Sequence, residues 1–113
     1  MLNFNDIVKL NMVICSNNNQ KSLAINQDNL KSALGIQQWY DDLEFRACAL
    51  FRSLIIAHGF QDGNKRTAAL ALVSLITPKV SQELIADTAI KVANGDLKDI
   101  NDIHKILFQL EVI

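Results

Sequence analysis

The sequence predicts an all-α fold, a compact bundle of helices around two central ones. Three observations carry this. No stretch of any length alternates polar and apolar residues, as a half-buried strand would. Apolar residues recur instead at three- and four-residue spacing along most of the chain. The four glycines and the single proline fall where helices should stop. With 113 residues, half of them apolar, one domain over 1–113 is expected, with enough apolar surface for a real core. Five Phe against one Trp and one Tyr make that core mainly aliphatic.

The elements follow in order. In 3-NFNDIVKLNMVI-14, Phe4, Ile7, Val8, Asn11 and Met12 share a helical face. A polar turn follows, 16-SNNNQKS-22. Leu23 to Ile25 suit a short extended piece but no sheet. Asp28 can cap a short helix that presents Leu30, Ala33 and Leu34 on one side and ends at Gly35. Trp39 and Tyr40 could mark a partner contact, and their plainer reading is a half-buried helix start. The segment 41-DDLEFRACALFRSLIIAH-58 reads as a long central helix, with acids in its first turn where the helix dipole favours them. A second buried helix begins near Asn64 and runs to Thr77, and Pro78 closes it. Ser81 caps an amphipathic helix that Gly95 ends. Ile100, Ile103, Ile106, Leu107 and Leu110 build the last helix, with His104 expected on its outer face.

Composition narrows the function. A formal net charge of −1 gives no electrostatic footprint for nucleic acid. The N-terminus lacks the basic head and apolar run of a secretory signal. Arg52, His58, Asp62, Lys65 and Arg66 interrupt the richest apolar region, so no membrane span is expected. Cys15 and Cys48 have no metal or redox spacing. They are expected to be reduced and buried, as in a cytoplasmic protein.

Against this background, 58-HGFQDGNKRT-67 is the densest polar cluster, set between the two most apolar helices. Its second half opens a helix, whose first N–H groups are unpaired and partly positive. Gly63 lets backbone approach a ligand closely. Two cations, Lys65 and Arg66, sit where they oppose the helix dipole unless an anion visits. Phosphate suits such a site, with Lys65 as a point charge and Arg66 as a fork of donors. Asp62 beside phosphates suits Mg2+. His58 can take a proton near neutral pH. Phe60 has no polar task and would pin the loop into the core. Taken singly, each residue has a plainer reading: His58 as a helix C-cap, Asp62 as an N-cap, Lys65 and Arg66 as a solvated first turn. Arg52 could face the phosphate site or pair with Glu44 or Asp42.

The motif resembles the signature of the Fic/Doc family, roughly His-x-Phe-x-Asp/Glu-Gly/Ala-Asn-Gly/Lys-Arg. His58, Phe60, Asp62, Gly63, Asn64, Lys65 and Arg66 match it throughout. Outside the motif, 28-DNLKSAL-34 and 83-ELIADTAIKVANGDLKDINDIHKIL-107 are similar to flanking segments of death-on-curing relatives. The resemblance implies a fold and a set of roles. His58 would be the general base, Asp62 the Mg2+ ligand, and Gly63, Asn64, Lys65 and Arg66 the ATP-phosphate cradle.

Within the family, adenylylating members usually carry Gly where this chain has Lys65, and a second arginine where it has Ala69. The Doc toxin branch has the lysine and lacks that arginine. The resemblance therefore implies a toxin kinase that moves the γ-phosphate of ATP to a hydroxyl of a target protein, a translation elongation factor. Two other readings stand beside it: an adenylyltransferase, and a catalytically inactive binding module. The family's self-restraining motif, Ser/Thr-x-x-x-Glu-Gly/Asn, is missing, because Phe45, Leu84 and Val112 follow Glu44, Glu83 and Glu111. The resemblance then implies restraint by a partner antitoxin. Two departures accompany it. Gly59 stands where Pro is common, which predicts a looser loop. The stretch 35-GIQQWYDD-42 is shorter than the flap that many relatives use to clamp their target as an added strand.

Overall fold

A computed structural model describes residues 1–109. Its helices are α1 (Phe4–Asn17), α2 (Gln27–Gly35), α3 (Leu43–Ala57), α4 (Asn64–Leu75), α5 (Gln82–Ala93) and α6 (Ile100–Phe108). A 3-10 turn, Ile36–Trp39, continues α2. The fold is all-α, and extended pairing among the described residues is limited to an isolated antiparallel bridge, Ala24 to Phe60. The expected extended piece at Leu23–Ile25 is thus present, and it is not a sheet. Leu110, expected on the last helix, lies outside the described residues.

Local chemistry explains most helix starts. Asn3 and Asp6 form a reciprocal capping box on α1, each side chain accepting the other's backbone N–H at 2.9 Å. Asp42, Ser81 and Asp99 cap α3, α5 and α6. The cap of α2 is Asn26, two residues before the expected Asp28, which falls in the first turn instead. Gly35 closes α2 without a left-handed turn, since the chain winds on into the 3-10 segment. After α4, Ile76 is extended and Pro78 disfavours a helical Thr77. Gly95, at φ +82°, supplies the left-handed residue beyond α5.

The core is built on α3. Ala47, Cys48, Ala49, Leu50 and Phe51 are all fully buried, a run only possible for a helix packed on most of its circumference. It touches α2, α4, α5 and α6, and α4 most extensively. Both central helices carry small, buried side chains: Ala47 and Ala49 on α3, Ala68 and Ala71 on α4. Complete burial of Phe51 and Leu50 contributes about 1.5–3 kcal/mol each. The second central helix is buried on one face only, with Ser74 exposed. Both cysteines are free and buried. No described helix is long and apolar enough to cross a membrane.

Several local expectations change. Trp39 is 80% exposed rather than half-buried, because the 3-10 turn directs Gln37 inward instead. Gln37 donates to the Leu2 and Leu34 carbonyls and accepts from the Leu2 N–H. His104 is buried, not on the outer face. Its ring stacks on Phe45 at 4.0 Å and on Phe108 at 5.5 Å, and Nε2 lies 2.8 Å from Glu44. Arg52 neither faces the motif nor pairs with an acid: its Nε donates to the Lys98 carbonyl at 2.7 Å. Of the two acids expected for it, Glu44 is held by His104 and Asp42 caps α3.

Candidate active site

The motif loop begins where α3 stops. His58 adopts a left-handed conformation, φ 46° and ψ 51°, which turns the chain out of the helix and leaves the imidazole exposed. Gly59 comes next, and it is buried. A Cβ there would lie 2.2 Å from Leu30 Cγ, inside the core. Its carbonyl accepts the N–H groups of Ile25 at 2.8 Å and Asn26 at 3.1 Å. Gly59 therefore permits a close approach, and the expected slackening of the loop is not found. The Gln61 N–H donates to the Leu23 carbonyl at 2.9 Å and completes the pairing of the two segments. The stretch beside the motif is thus 23–26, whereas 35–42, read as a short flap, packs through Gln37 against Leu2.

Phe60 is buried to 1% exposure and pins the loop as expected. Asn64 reaches back from the first turn of α4 and clamps it. Its Oδ1 accepts the Phe60 N–H at 3.0 Å, and its Nδ2 donates to the Phe60 carbonyl at 2.7 Å. These two bonds define the orientation of the amide, because a backbone N–H only donates and a carbonyl only accepts. The remaining amide hydrogen then faces His58 Nδ1, 3.3 Å away. That contact fits a neutral imidazole with Nδ1 bare and the hydrogen on Nε2.

Asp62 is half-buried, and its backbone carbonyl accepts from Asn11 Nδ2 at 2.9 Å. Gly63 begins α4 at φ +78°, where a side chain would be strained. A Cβ would also press on Ile14 at 3.1 Å and on Asn11 at 3.3 Å. Asn3, Asn26, Asp42, Ser81 and Asp99 cap the other five α-helices with side chains. The N-terminus of α4 has no side-chain cap. Its first N–H groups open beside a recess of about 270 Å³ lined by Gln20, Gly63, Asn64, Lys65 and Arg66.

Lys65 and Arg66 are exposed, and the ion pair among the described residues is the distant His104–Glu44. Arg66 donates instead to Asn18, in the turn after α1. Two cations without acidic partners at a positive helix end leave this corner set up for an anion. No group of three or more His, Cys, Asp or Glu side chains among the described residues could hold a metal by itself. Asp62 precedes the recess in the chain without lining it; where phosphate oxygens complete the shell, Mg2+ needs only one or two carboxylates.

The structure thus gathers Gly63, Asn64, Lys65 and Arg66 around one recess, with Asp62 preceding it in the chain and His58 in contact with Asn64. Four further residues serve the site and had no signal in the motif: Asn11, Asn18, Gln20 and Ser22. Asn18 and Gln20 belong to a stretch that reads from sequence as a plain polar turn.

The family model of the Fic/DOC family matches residues 5–76, more than half of the chain, from the first turn of α1 through the end of α4. The chain belongs to the Fic/DOC family. Its members are in general transferases that move AMP or a phosphoryl group and use ATP and Mg2+. The match stops before α5 and α6, so the likeness of residues 83–107 to death-on-curing proteins is not part of it. No curated protein and no solved structure matches the chain.

Proposed function

We propose that this chain is a Doc-like toxin kinase, which transfers the γ-phosphate of ATP to a hydroxyl of a target protein. The observation that carries transferase chemistry is the uncapped start of α4. It is the one described α-helix without a side-chain cap, and it carries two cations with no acidic partner. The phosphates of ATP meet the free N–H groups, Lys65 and Arg66 there. Asp62 holds Mg2+, which when bound offsets the phosphate charge. His58 accepts the proton of the target hydroxyl at the nitrogen that is bare in the neutral ring. The 3.3 Å contact to Asn64 is long enough to be exchanged for a substrate hydroxyl. The hydroxyl oxygen bonds to the γ-phosphorus as the bond to the β–γ bridging oxygen breaks. ADP leaves with that electron pair. Catalysis of this kind rests on positioning and charge stabilisation.

The choice of phosphoryl over adenylyl transfer rests on Lys65 and Ala69. Lys65 fills part of the cradle with a cation. Ala69, where adenylylating relatives carry arginine, lines a mostly apolar recess of about 240 Å³ with Ile14, Leu70, Val73 and Ile85, which Arg66 and Gln82 also border. The Doc-like reading brings a translation elongation factor as target, a partner antitoxin as restraint, and action in the cytoplasm. The test is to incubate the protein and Mg2+ with a bacterial lysate and ATP labelled at the γ- or the α-phosphate, with His58→Ala as control. Protein labelled from γ-ATP alone supports the kinase. Label from α-ATP makes it an adenylyltransferase. No label from either, in wild type and variant alike, favours the inactive binding module or a target absent from the lysate.

A further inference from the structure

Asn11 is fully buried in the middle of α1, between Ile7 and Cys15 on the face that enters the core. An apolar residue would serve that face without the desolvation of a carboxamide. The amide is nevertheless fully used. Nδ2 donates to the Asp62 carbonyl at 2.9 Å and to Thr67 Oγ1 at 3.1 Å. Oδ1 accepts from Ser22 Oγ at 2.7 Å and from Cys15 Sγ at 3.5 Å. Two donors and two acceptor sites are its whole capacity. Because the Asp62 carbonyl can only accept, the orientation of the amide is defined. The partners come from four places: α1 itself, the start of the extended stretch, the motif loop and α4. A Cβ on Gly63 would crowd the same Nδ2, at 3.3 Å.

We propose that Asn11 is a positioning residue of the candidate active site: it sets where Asp62 stands over α4 and, through Ser22, ties that placement to the stretch running beside the motif loop. The inference rests on the reading of Asp62 as the Mg2+ ligand. Groups that orient a metal ligand commonly change metal affinity about 10–100-fold when removed, without touching the metal.

The test is ATP affinity of the full chain by titration calorimetry, with Mg2+ and in EDTA, for wild type, Asn11→Ala, Asp62→Ala and the double variant. Asn11→Ala should weaken binding of Mg2+–ATP about tenfold or more. Binding in EDTA should stay within about twofold, and in the Asp62→Ala background Asn11→Ala should add nothing. Equal losses with and without Mg2+, or additive losses in the cycle, would mean a merely structural role and overturn the proposal.

Ser22→Ala removes one hydroxyl from Asn11 and leaves the core intact, so it decides the matter if Asn11→Ala does not fold. It should weaken Mg2+-dependent binding about two- to tenfold, as loss of one hydrogen bond would, and an unchanged affinity overturns the proposal. If wild type binds no nucleotide, the functional reading fails, and the positioning claim is read separately by amide hydrogen exchange. Asn11→Ala should then speed exchange in residues 59–66 relative to α3. Equal acceleration everywhere, or none, overturns it.

Discussion

The two histidines stand at two differently built regions. His104 has the features by which an active-site histidine is often sought: burial, a carboxylate at 2.8 Å, aromatic walls, and a nearby cavity of about 500 Å³ bordered by Phe45 and Arg52. His58 is exposed, sits on a left-handed residue, and has one long contact to an amide. Yet the chemistry around His58 is unfinished, with free N–H groups, unpaired cations and a carboxylate. Around His104 the ring faces are covered and Nε2 is bonded to a carboxylate. A group that must exchange partners during a reaction cannot have all of them satisfied beforehand. The comparison therefore separates a satisfied histidine, which holds α6 to α3, from a poised one.

Exchanging the two histidines for alanine breaks or sustains this distinction. His58→Ala should lower transfer about 10²–10⁴-fold with little change in Tm, since its ring is exposed. His104→Ala should do the reverse. It should destabilise the fold by about 2–3 kcal/mol through lost stacking, lost packing and a Glu44 left alone, while transfer per folded molecule stays near wild type. Denaturant melts beside the labelled-ATP assay measure both. If His104→Ala abolished transfer in folded protein, the contrast would be wrong.

Gly59 sharpens the contrast from the loop side. Gly59→Ala places a methyl 2.2 Å from the buried Leu30 Cγ, with no solvent into which Leu30 can swing. Overpacking of this kind costs about 1–3 kcal/mol. The backbone of Gly59 also carries the pairing to Ile25 and Asn26. The variant should therefore lose both stability and transfer, unlike either histidine variant. Chemical denaturation and the transfer assay on one preparation would show whether the two losses travel together.

What could be read in advance follows from how local each signal is. The motif was legible because its parts are contiguous and its misfit, cations at a helix start, is visible in the sequence. Helix ends were legible within a few residues where a capping side chain sits next to the boundary, as at Asp42 and Ser81. Asn26 was missed because Asp28 is an equally good cap two positions on, and Gln61 and Gly59 select the earlier turn through pairing that no local pattern encodes. Asn11 was placed on the buried face, but its partners lie 51 and 56 residues away. His104 shows the opposite failure. It stands four residues after Ile100 and beside Ile103, so periodicity already allowed it on the inner face, and its polarity wrongly outweighed its position.

The two cysteines extend the comparison, one at each end. Cys15 lies beneath the motif loop, with Sγ 3.7 Å from the Asp62 carbonyl, and its thiol is pushed up by burial first and then by the Asp62 charge. Cys48 sits in α3, pushed up to about 12 by burial first, then by Glu44 and Asp42. Below pH 9, Cys48 is protonated in folded and unfolded chains alike, so its contribution to stability is fully present. Between pH 9 and 12 the unfolded chain releases the proton and the folded chain keeps it, which favours unfolding. At pH 10 the loss from Cys48 should be on the order of 1 kcal/mol relative to neutral pH. Cys48→Ala removes the titrating group, so its unfolding free energy should fall less steeply above pH 9 than that of wild type. Comparing slopes rather than absolute stabilities cancels the small cavity that the substitution leaves. Urea unfolding of both proteins at pH 8, 9 and 10 measures this. Parallel slopes would show that Cys48 reaches solvent in the folded chain and that this end of α3 is less closed than the His104 stack implies.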